Sequence, residues 1–233
     1  QLQTLANSPY WHLLLRYEPA HTTSGVRSEA RSSHFFLASN GRDNPLAELT
    51  ALAEAVTGSA TDNNHAACRF PTRAHWLYSQ TGLGQPSLNC PAYDEWRELV
   101  NPEQATLVFA SDYLNSPSSM FGHTFLRLDA PGQTEDTRLL AYAINFAAET
   151  NTKNPFVFAF KGLTGGYPGL FSLMPYYEKV KEYSDMENRD LWEYQLSLTP
   201  DEVHLLVSHL WELRSVEFPY YFLTRNCSFQ LLA

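Results

Sequence analysis

Cys227, His123 and Asn145 are the residues of this chain whose types and settings suit nucleophilic chemistry. Cys227 lies in "RNCSFQLLA", where apolar residues at helical spacing begin. A cysteine attacks as a thiolate, and the free N–H groups and dipole at a helix start favour that anion. Asn226 is the expected cap, with Phe229, Leu231 and Leu232 on the apolar side. Amides beside such a cysteine are also placed to hold an oxyanion. A thiolate needs a histidine to hold the ion pair and to move protons. Eight histidines compete. His204 and His209 fall on different faces of one helix and read as a solvated surface. His12 and His21 flank the first helix, His65 and His75 sit in polar loops, and His34 starts an apolar run. His123 differs, because it follows the turn residues "NSPSSMFG" and opens the strand "HTFLRLD". Asn145, the odd polar residue of "AYAINFAA", is the candidate to orient its ring, with Asp112 and Asn115 as runners-up. Each of the three also has a bland reading: a buried thiol, a strand-end hydrogen bond, an amide satisfying backbone.

The elements that must position them read as follows. Residues 5–17 form a short amphipathic helix, 32–39 ("SSHFFLAS") a strand, and 45–58 a helix ended by Gly58. The stretch 59–92 is polar and loop-rich, and 91–102 is a further helix. From about residue 103 the runs "ATLVFASDY", "HTFLRLD", "RLLAYAINFAA", "NPFVFAFKG", "GLFSLMPYY" and "RDLWEYQLSL" are β-rich. The turn "DAPGQTEDT" makes a hairpin of the second and third. A turn centred near residues 132–133 pairs position 123 near 142, which sets Asn145 close to Met120 and within reach of His123. "GLTGGYPG" (162–169) is too rich in glycine for regular structure. "TPDEVHLLVSHLWELRS" opens with a capping box and a first-turn proline, so it is a helix. The chain thus divides into a helical and loop-rich region, 1–102, and an α+β region on an antiparallel sheet, 103–233.

Composition narrows the partners. At 44% hydrophobic, 233 residues are ample for a packed core. A net charge of -9 without a Lys/Arg cluster excludes a nucleic-acid footprint and an electrostatic dock onto anionic lipid. No run approaches a membrane-spanning helix. Three cysteines make one pair and one odd thiol, which predicts a Cys68–Cys90 disulfide and a free Cys227. That bridge would contribute roughly 3 kcal/mol and implies an oxidising compartment. No spacing suggests a metal, and none of this chemistry asks for a cofactor.

The order His first, then a late "NC" at a helix start, resembles the circularly permuted papain-like (NlpC/P60-like) enzymes, among them the lecithin:retinol acyltransferase-like group. "WHLLLRY", "SHFFLASNGRDNPLAEL", "CRFPTRAHWL", "NSPSSMFGHTFLRLD", "YAINFAAET", "FKGLTGGYPG" and "RNCSF" together resemble the N-terminal periplasmic domain of the bacterial Lnb-type lipoprotein N-acyltransferase family. That resemblance implies a permuted papain-like fold, a periplasmic location, Cys227 as nucleophile and His123 as base. Asn145 as third member comes from its placement alone. It further implies a phospholipid acyl donor, a lipoprotein amine as acceptor, and a membrane surface reached through segments beyond this chain, which is expected to continue past Ala233. In that reading Asn115, Ser118, Ser119, Gly165, Gly166, Tyr167, Arg225 and Asn226 contact substrate, and Phe171, Tyr176, Tyr177, Tyr220 and Tyr221 line the acyl route. The alternatives are a hydrolase (phospholipase, amidase or peptidase) on the same Cys-His pair, and a non-catalytic interaction domain of a larger envelope protein.

Overall fold

The structure is a computed structural model that describes residues 1–20, 25–59, 62–111, 122–150, 152, 154–186 and 189–232. It divides into two compact units, one of residues 1–99 with 205–218 and one of residues 100–204 with 219–233. The fold class is α+β.

The first unit holds helices α1 (Leu2–Ala6), α2 (Pro9–Leu14), α3 (Pro45–Ala55), α4 (Ala66–Arg69), α5 (Pro71–Thr81) and most of α6 (Pro91–Val100), with a small ribbon of β1 (Tyr17–Pro19) and β2 (Val26–Ser28). The single helix expected over 5–17 is two, because Pro9 cannot continue the first and instead opens the second at its first-turn position. Trp11, Leu15, Leu49, Leu52 and Leu77 form the core, with Trp11 stacked on Trp76 at 5.3 Å.

The strand expected over 32–39 is a 3-10 turn, Ser33–Phe35. Side chains take the hydrogen bonds that a neighbouring strand would have supplied. The Leu37 and Ala38 N–H groups donate to the Glu48 carboxylate, and the Phe35 carbonyl accepts from Arg73. Arg73 is fully buried between two carboxylates, 3.0 Å from Glu212 and 3.6 Å from Glu48, with its guanidinium over the Phe35 ring. The polar stretch 59–92 is not all loop, since it contains α4 and α5. Pro71 at the first turn and Gly82 in the left-handed region after α5 are ordinary helix punctuation that its polar composition obscured. Cys68 and Cys90 are disulfide-bonded, and the Trp211 indole N–H donates to the Cys68 carbonyl.

The second unit is built on an antiparallel sheet, six-stranded among the described residues: β3 (Gln104–Ala110), β4 (His123–Asp129), β5 (Tyr142–Ala148), β6 (Tyr167–Pro175), β7 (Leu191–Gln195) and β8 (Phe218–Tyr220). Their spatial order is β7-β3-β4-β5-β6-β8. Helix α7 (Pro155–Thr164) precedes β6, α8 (Tyr176–Val180) follows it, α9 (Pro200–Leu213), which belongs to the first unit from Leu205 on, precedes β8, and α10 (Cys227–Leu232) comes last. The start of α9 carries the expected reciprocal box, Thr199 N–H to Glu202 and Glu202 N–H back to Thr199 Oγ1. "NPFVFAFKG" is helix α7 rather than strand. Its alternating phenylalanines imitate a strand, yet Asn154 accepts from the Phe156 and Val157 N–H groups, Pro155 sits in the first turn, and Gly165 ends it. "GLTGGYPG" is therefore regular on both sides: helix to Thr164, then β6 from Tyr167.

Because pairing alternates faces, Phe125, Arg127 and Asp129 of β4 share one face with Glu193 of β7 and Ala143 of β5. Val108, Phe125, Ala143, Tyr176 and Tyr183 make the apolar part of that face. Further along it Arg127 bonds Asp129 at 2.7 Å and Glu193 at 2.5 Å, and the Tyr176 hydroxyl donates to Glu193.

Two stability outcomes follow from the buried pairs. Arg73→Met should cost about 3–5 kcal/mol in denaturant unfolding, because it leaves the Glu48 and Glu212 carboxylates uncompensated. Replacing Cys68 and Cys90 together by alanine should cost roughly 3 kcal/mol, and reductant should have no further effect on that variant.

Candidate active site

The site begins with the hairpin of β4 and β5. Phe125 pairs with Asn145 and Leu128 with Tyr142, so the register is offset from the expected pairing of 123 with 142. The turn is centred further along than the glycine suggested, because Thr134–Thr137 and the 3-10 turn Arg138–Leu140 take up the extra chain. The consequence is chemical. Asn145 lies opposite Phe125 and on its face, so it is the diagonal neighbour of His123, within reach of a long side chain. His123 Nε2 lies 2.5 Å from Asn145 Oδ1. An amide oxygen only accepts, so Nε2 donates and Nδ1 is the nitrogen left for the thiol. The ring is held between Phe125 and Tyr183, at centroid distances of 6.2 and 5.8 Å. Gly122 just before it has φ +85, and a Cβ there would stand 2.5 Å from the Phe109 ring, so no other residue fits that approach.

Cys227 is the first residue of α10. Asn226 caps it from both sides: its backbone carbonyl accepts from Gln230 and its side chain from the Phe229 N–H. Thr124 Oγ1 and Ser228 Oγ, 2.6 Å apart, fasten the first turn of the helix to β4. The thiol is 3% exposed and hydrogen-bonded to the His123 side chain. Its sulfur also accepts from the Thr124 N–H at 3.4 Å. The Tyr220 hydroxyl is the third donor; it bonds the sulfur while accepting from the Cys227 N–H. Burial alone pushes this thiol up, but the imidazole, then the Thr124 N–H and the Tyr220 O–H, outweigh it and bring the pKa from 9.0 down to about 7. Tyr220 is pushed the other way, chiefly by its own burial and then by the thiolate, so it stays a protonated donor.

Among the described residues the structure therefore brings Cys227, His123 and Asn145 together. Asn115, Ser118 and Ser119 lie outside the described residues, as do Asp112 and Met120. Asn226 is the helix cap. Arg225 stacks on Phe229 at 5.6 Å. Gly165 is the left-handed end of α7 packed on Tyr221, while Gly166 and Tyr167 line a cleft of about 440 Å³ with Glu149, Lys161 and Pro168. Of the five aromatics assigned to an acyl route, Tyr220 touches the thiol, whereas Phe171 packs on Phe146 and Tyr176 serves Glu193. His209 is not on a solvated face; it is packed 3.4 Å from Glu212, and burial lowers its pKa. Sequence reasoning missed Tyr220 as a donor and Thr124 altogether. Thr124 acts through its backbone, which no side-chain pattern reveals. Tyr220 lay in an aromatic run, "FPYYF", that reads equally well as core.

Comparison with known families matches residues 92–233, more than half of the chain, to the Lnb N-terminal periplasmic domain. The chain belongs to that family. A second match, over residues 3–80, is to a domain family of unknown function, DUF7843. Neither the curated proteins nor the solved structures give a match. Membership of the Lnb N-terminal periplasmic domain family places the chain in the periplasm, an oxidising compartment that suits the Cys68–Cys90 bridge. No helix among the described residues is long and apolar enough to cross a membrane. His123, Asn145, Tyr220 and Cys227 all fall within the part matched to the Lnb domain.

Alkylation by iodoacetamide tests the electrostatics. The thiol holds its proton below pH about 7, so the rate should rise with pH through an inflection near 7. Tyr220→Phe removes a donor to the anion and should move that inflection up by about one unit, the size of one charge-assisted hydrogen bond. His123→Ala should move it further, toward or past the ordinary 9.0, because burial is then less opposed.

Proposed function

We propose that this chain is a cysteine acyltransferase of the cell envelope, which carries an acyl group as a thioester on Cys227 from a membrane phospholipid to the N-terminal amine of a lipoprotein. The carrying observation is a thiol brought down to about 7 beside an imidazole that an amide oxygen orients. The match to a periplasmic domain family supports the setting. The chain order His then Asn then Cys, on an antiparallel sheet with the cysteine at a helix start, supports the likeness to the permuted papain-like enzymes.

In this reading His123 Nδ1 takes the Cys227 proton, and Asn145 keeps the ring in the tautomer and plane that allow it. The sulfur attacks the ester carbonyl carbon of the lipid. The C–S bond forms, the ester C–O bond breaks, and the leaving lysolipid oxygen collects the proton from His123. The acceptor amine then attacks the thioester carbon, the C–N bond forms, the C–S bond breaks, and His123 takes a proton from the amine and returns it to the sulfur. The Tyr220 O–H and the Thr124 N–H, both of which reach the sulfur, are donors available to a carbonyl oxygen that turns negative beside it. A thiol that is 3% exposed favours transfer to an amine over loss of the acyl group to water. A hydrolase on the same pair is separated by its acceptor alone.

Intact-mass measurement after incubation with phospholipid vesicles should show one acyl adduct on Cys227. Hydroxylamine should remove it, a diacylglyceryl-cysteine lipopeptide should consume it with formation of an amide, and Cys227→Ser should never form it. His123→Ala should slow adduct formation by roughly 10²–10⁴-fold. Fatty-acid release that persists in Cys227→Ser, with no adduct on the unaltered chain, would overturn the thioester route. Adduct consumed only by water would make the protein a hydrolase.

A further inference from the structure

Helix α7 is built the wrong way round for a helix on a water-facing surface. Phe158 and Gly162 face inward, four residues apart. On the opposite side Phe156, Phe160 and Leu163, at the i, i+4, i+7 spacing of one stripe, are 85%, 68% and 57% exposed, and Val157 beside them is exposed too. Single exposed apolar residues are common, but a stripe with two nearly bare phenylalanines marks an interaction surface.

We propose that this stripe docks the second unit onto a lipid bilayer surface, with the phenylalanines entering the boundary between headgroups and acyl chains. The proposal rests on the acyl-transfer reading for its purpose, though not for its geometry. Charge identifies the occupant. The chain has a net charge of -9, yet no Asp or Glu occurs from Thr150 to Tyr177, and the only charged residue within α7 is Lys161. The stripe and the chain from Thr150 to Tyr177 thus carry no carboxylate for a lipid headgroup layer to repel, and the contact they offer is apolar rather than electrostatic. Position supports the same occupant. The inner side of α7 is packed on the segment that leads to the nucleophile: the Phe222 N–H donates to the Gly162 carbonyl, and the Phe222 ring lies so close that a Cβ at Gly162 would meet it at 2.2 Å. Phe222 in turn stands 6.0 Å from Tyr220, whose hydroxyl bonds the Cys227 sulfur. A bilayer touching the outer side of α7 would be separated from the thiol by the helix itself and this aromatic layer. The chain then carries a membrane contact of its own, in addition to any supplied by segments beyond it.

Co-sedimentation of the 233-residue chain with large vesicles of phosphatidylglycerol and phosphatidylethanolamine tests this, with iodoacetamide labelling of Cys227 run in parallel. The unaltered chain and Cys227→Ser should bind the vesicles alike. Phe156→Ser with Phe160→Ser should weaken partition by at least about tenfold, given the area of two buried rings, while Cys227 still labels at the unaltered rate. A dye on Phe160→Cys in the Cys227→Ser background should shift to shorter wavelength on adding vesicles. Absent partition by a chain whose Cys227 labels normally would overturn the docking and leave the cysteine chemistry standing. Vesicle binding lost on Phe156→Ser/Phe160→Ser, in a chain that forms no acyl adduct, would uphold the docking and sink acyl transfer. Concentration-dependent self-association abolished by the same two changes, with no vesicle binding, would make the stripe a contact between copies and overturn the proposal.

Discussion

A sulfur anion inside a protein needs replacements for the water it gives up, and the arrangement around Cys227 follows from that constraint. Burial works against the thiolate, and three donors work for it: the imidazole of His123, the backbone N–H of Thr124 and the hydroxyl of Tyr220. They come from the start of β4 and from β8, while the thiol itself belongs to α10. His123 and Thr124 lie about a hundred residues before Cys227, and Tyr220 precedes it on a separate strand, so the depressed pKa belongs to the assembled sheet and helix and not to the "NCSF" segment. The Thr124–Ser228 hydrogen bond and the Asn226 cap hold those pieces at a fixed distance, on which weak, short-range donors depend.

The sheet acts as a ruler for the rest. Pleating puts His123, Phe125, Arg127 and Asp129 on one face of β4, and the register of β5 decides which of its residues stands diagonally from the imidazole. Shifting that register by one residue would turn Asn145 to the opposite face. Phe125 and Tyr183 then lie between His123 and the Arg127–Asp129–Glu193 cluster, so a reacting group and a structural ion network occupy one face with an apolar wall between them. In that cluster Arg127 is enclosed by two carboxylates, the same solution the first unit uses for Arg73.

Helix α7 illustrates how one segment serves two interfaces. Its inner side has Phe158 and the small Gly162, which let an aromatic layer approach closely. Its outer side has the larger side chains, which the unit's own packing leaves uncovered. Packing explains the first choice and has no use for the second, and for that reason the outer stripe reads as function.

Much was legible in the residues alone. The three-cysteine arithmetic named the disulfide, the capping box of α9 and the Asn226 cap were readable as local hydrogen-bond chemistry, and the α+β class followed from where hydrophobic periodicity changes. Those features depend on neighbours in the chain, and sequence reports neighbours well. Two local readings failed for different reasons: "SSHFFLAS" is no strand because the distant Glu48 and Arg73 take its backbone groups, whereas "FVFAF" is helical because the adjacent Asn154 cap and Gly165 stop outweigh its strand-like alternation. Sequence named Cys227, His123 and Asn145 and set Asn145 within reach of His123, through a hairpin register that the structure shifts. Only the tertiary structure could give the β4–β5 register that puts Asn145 on the imidazole, and the convergence of Thr124 and Tyr220 on the thiol, because hydrogen bonds and thiol pKa depend on distances across the sheet, which no spacing along the chain encodes.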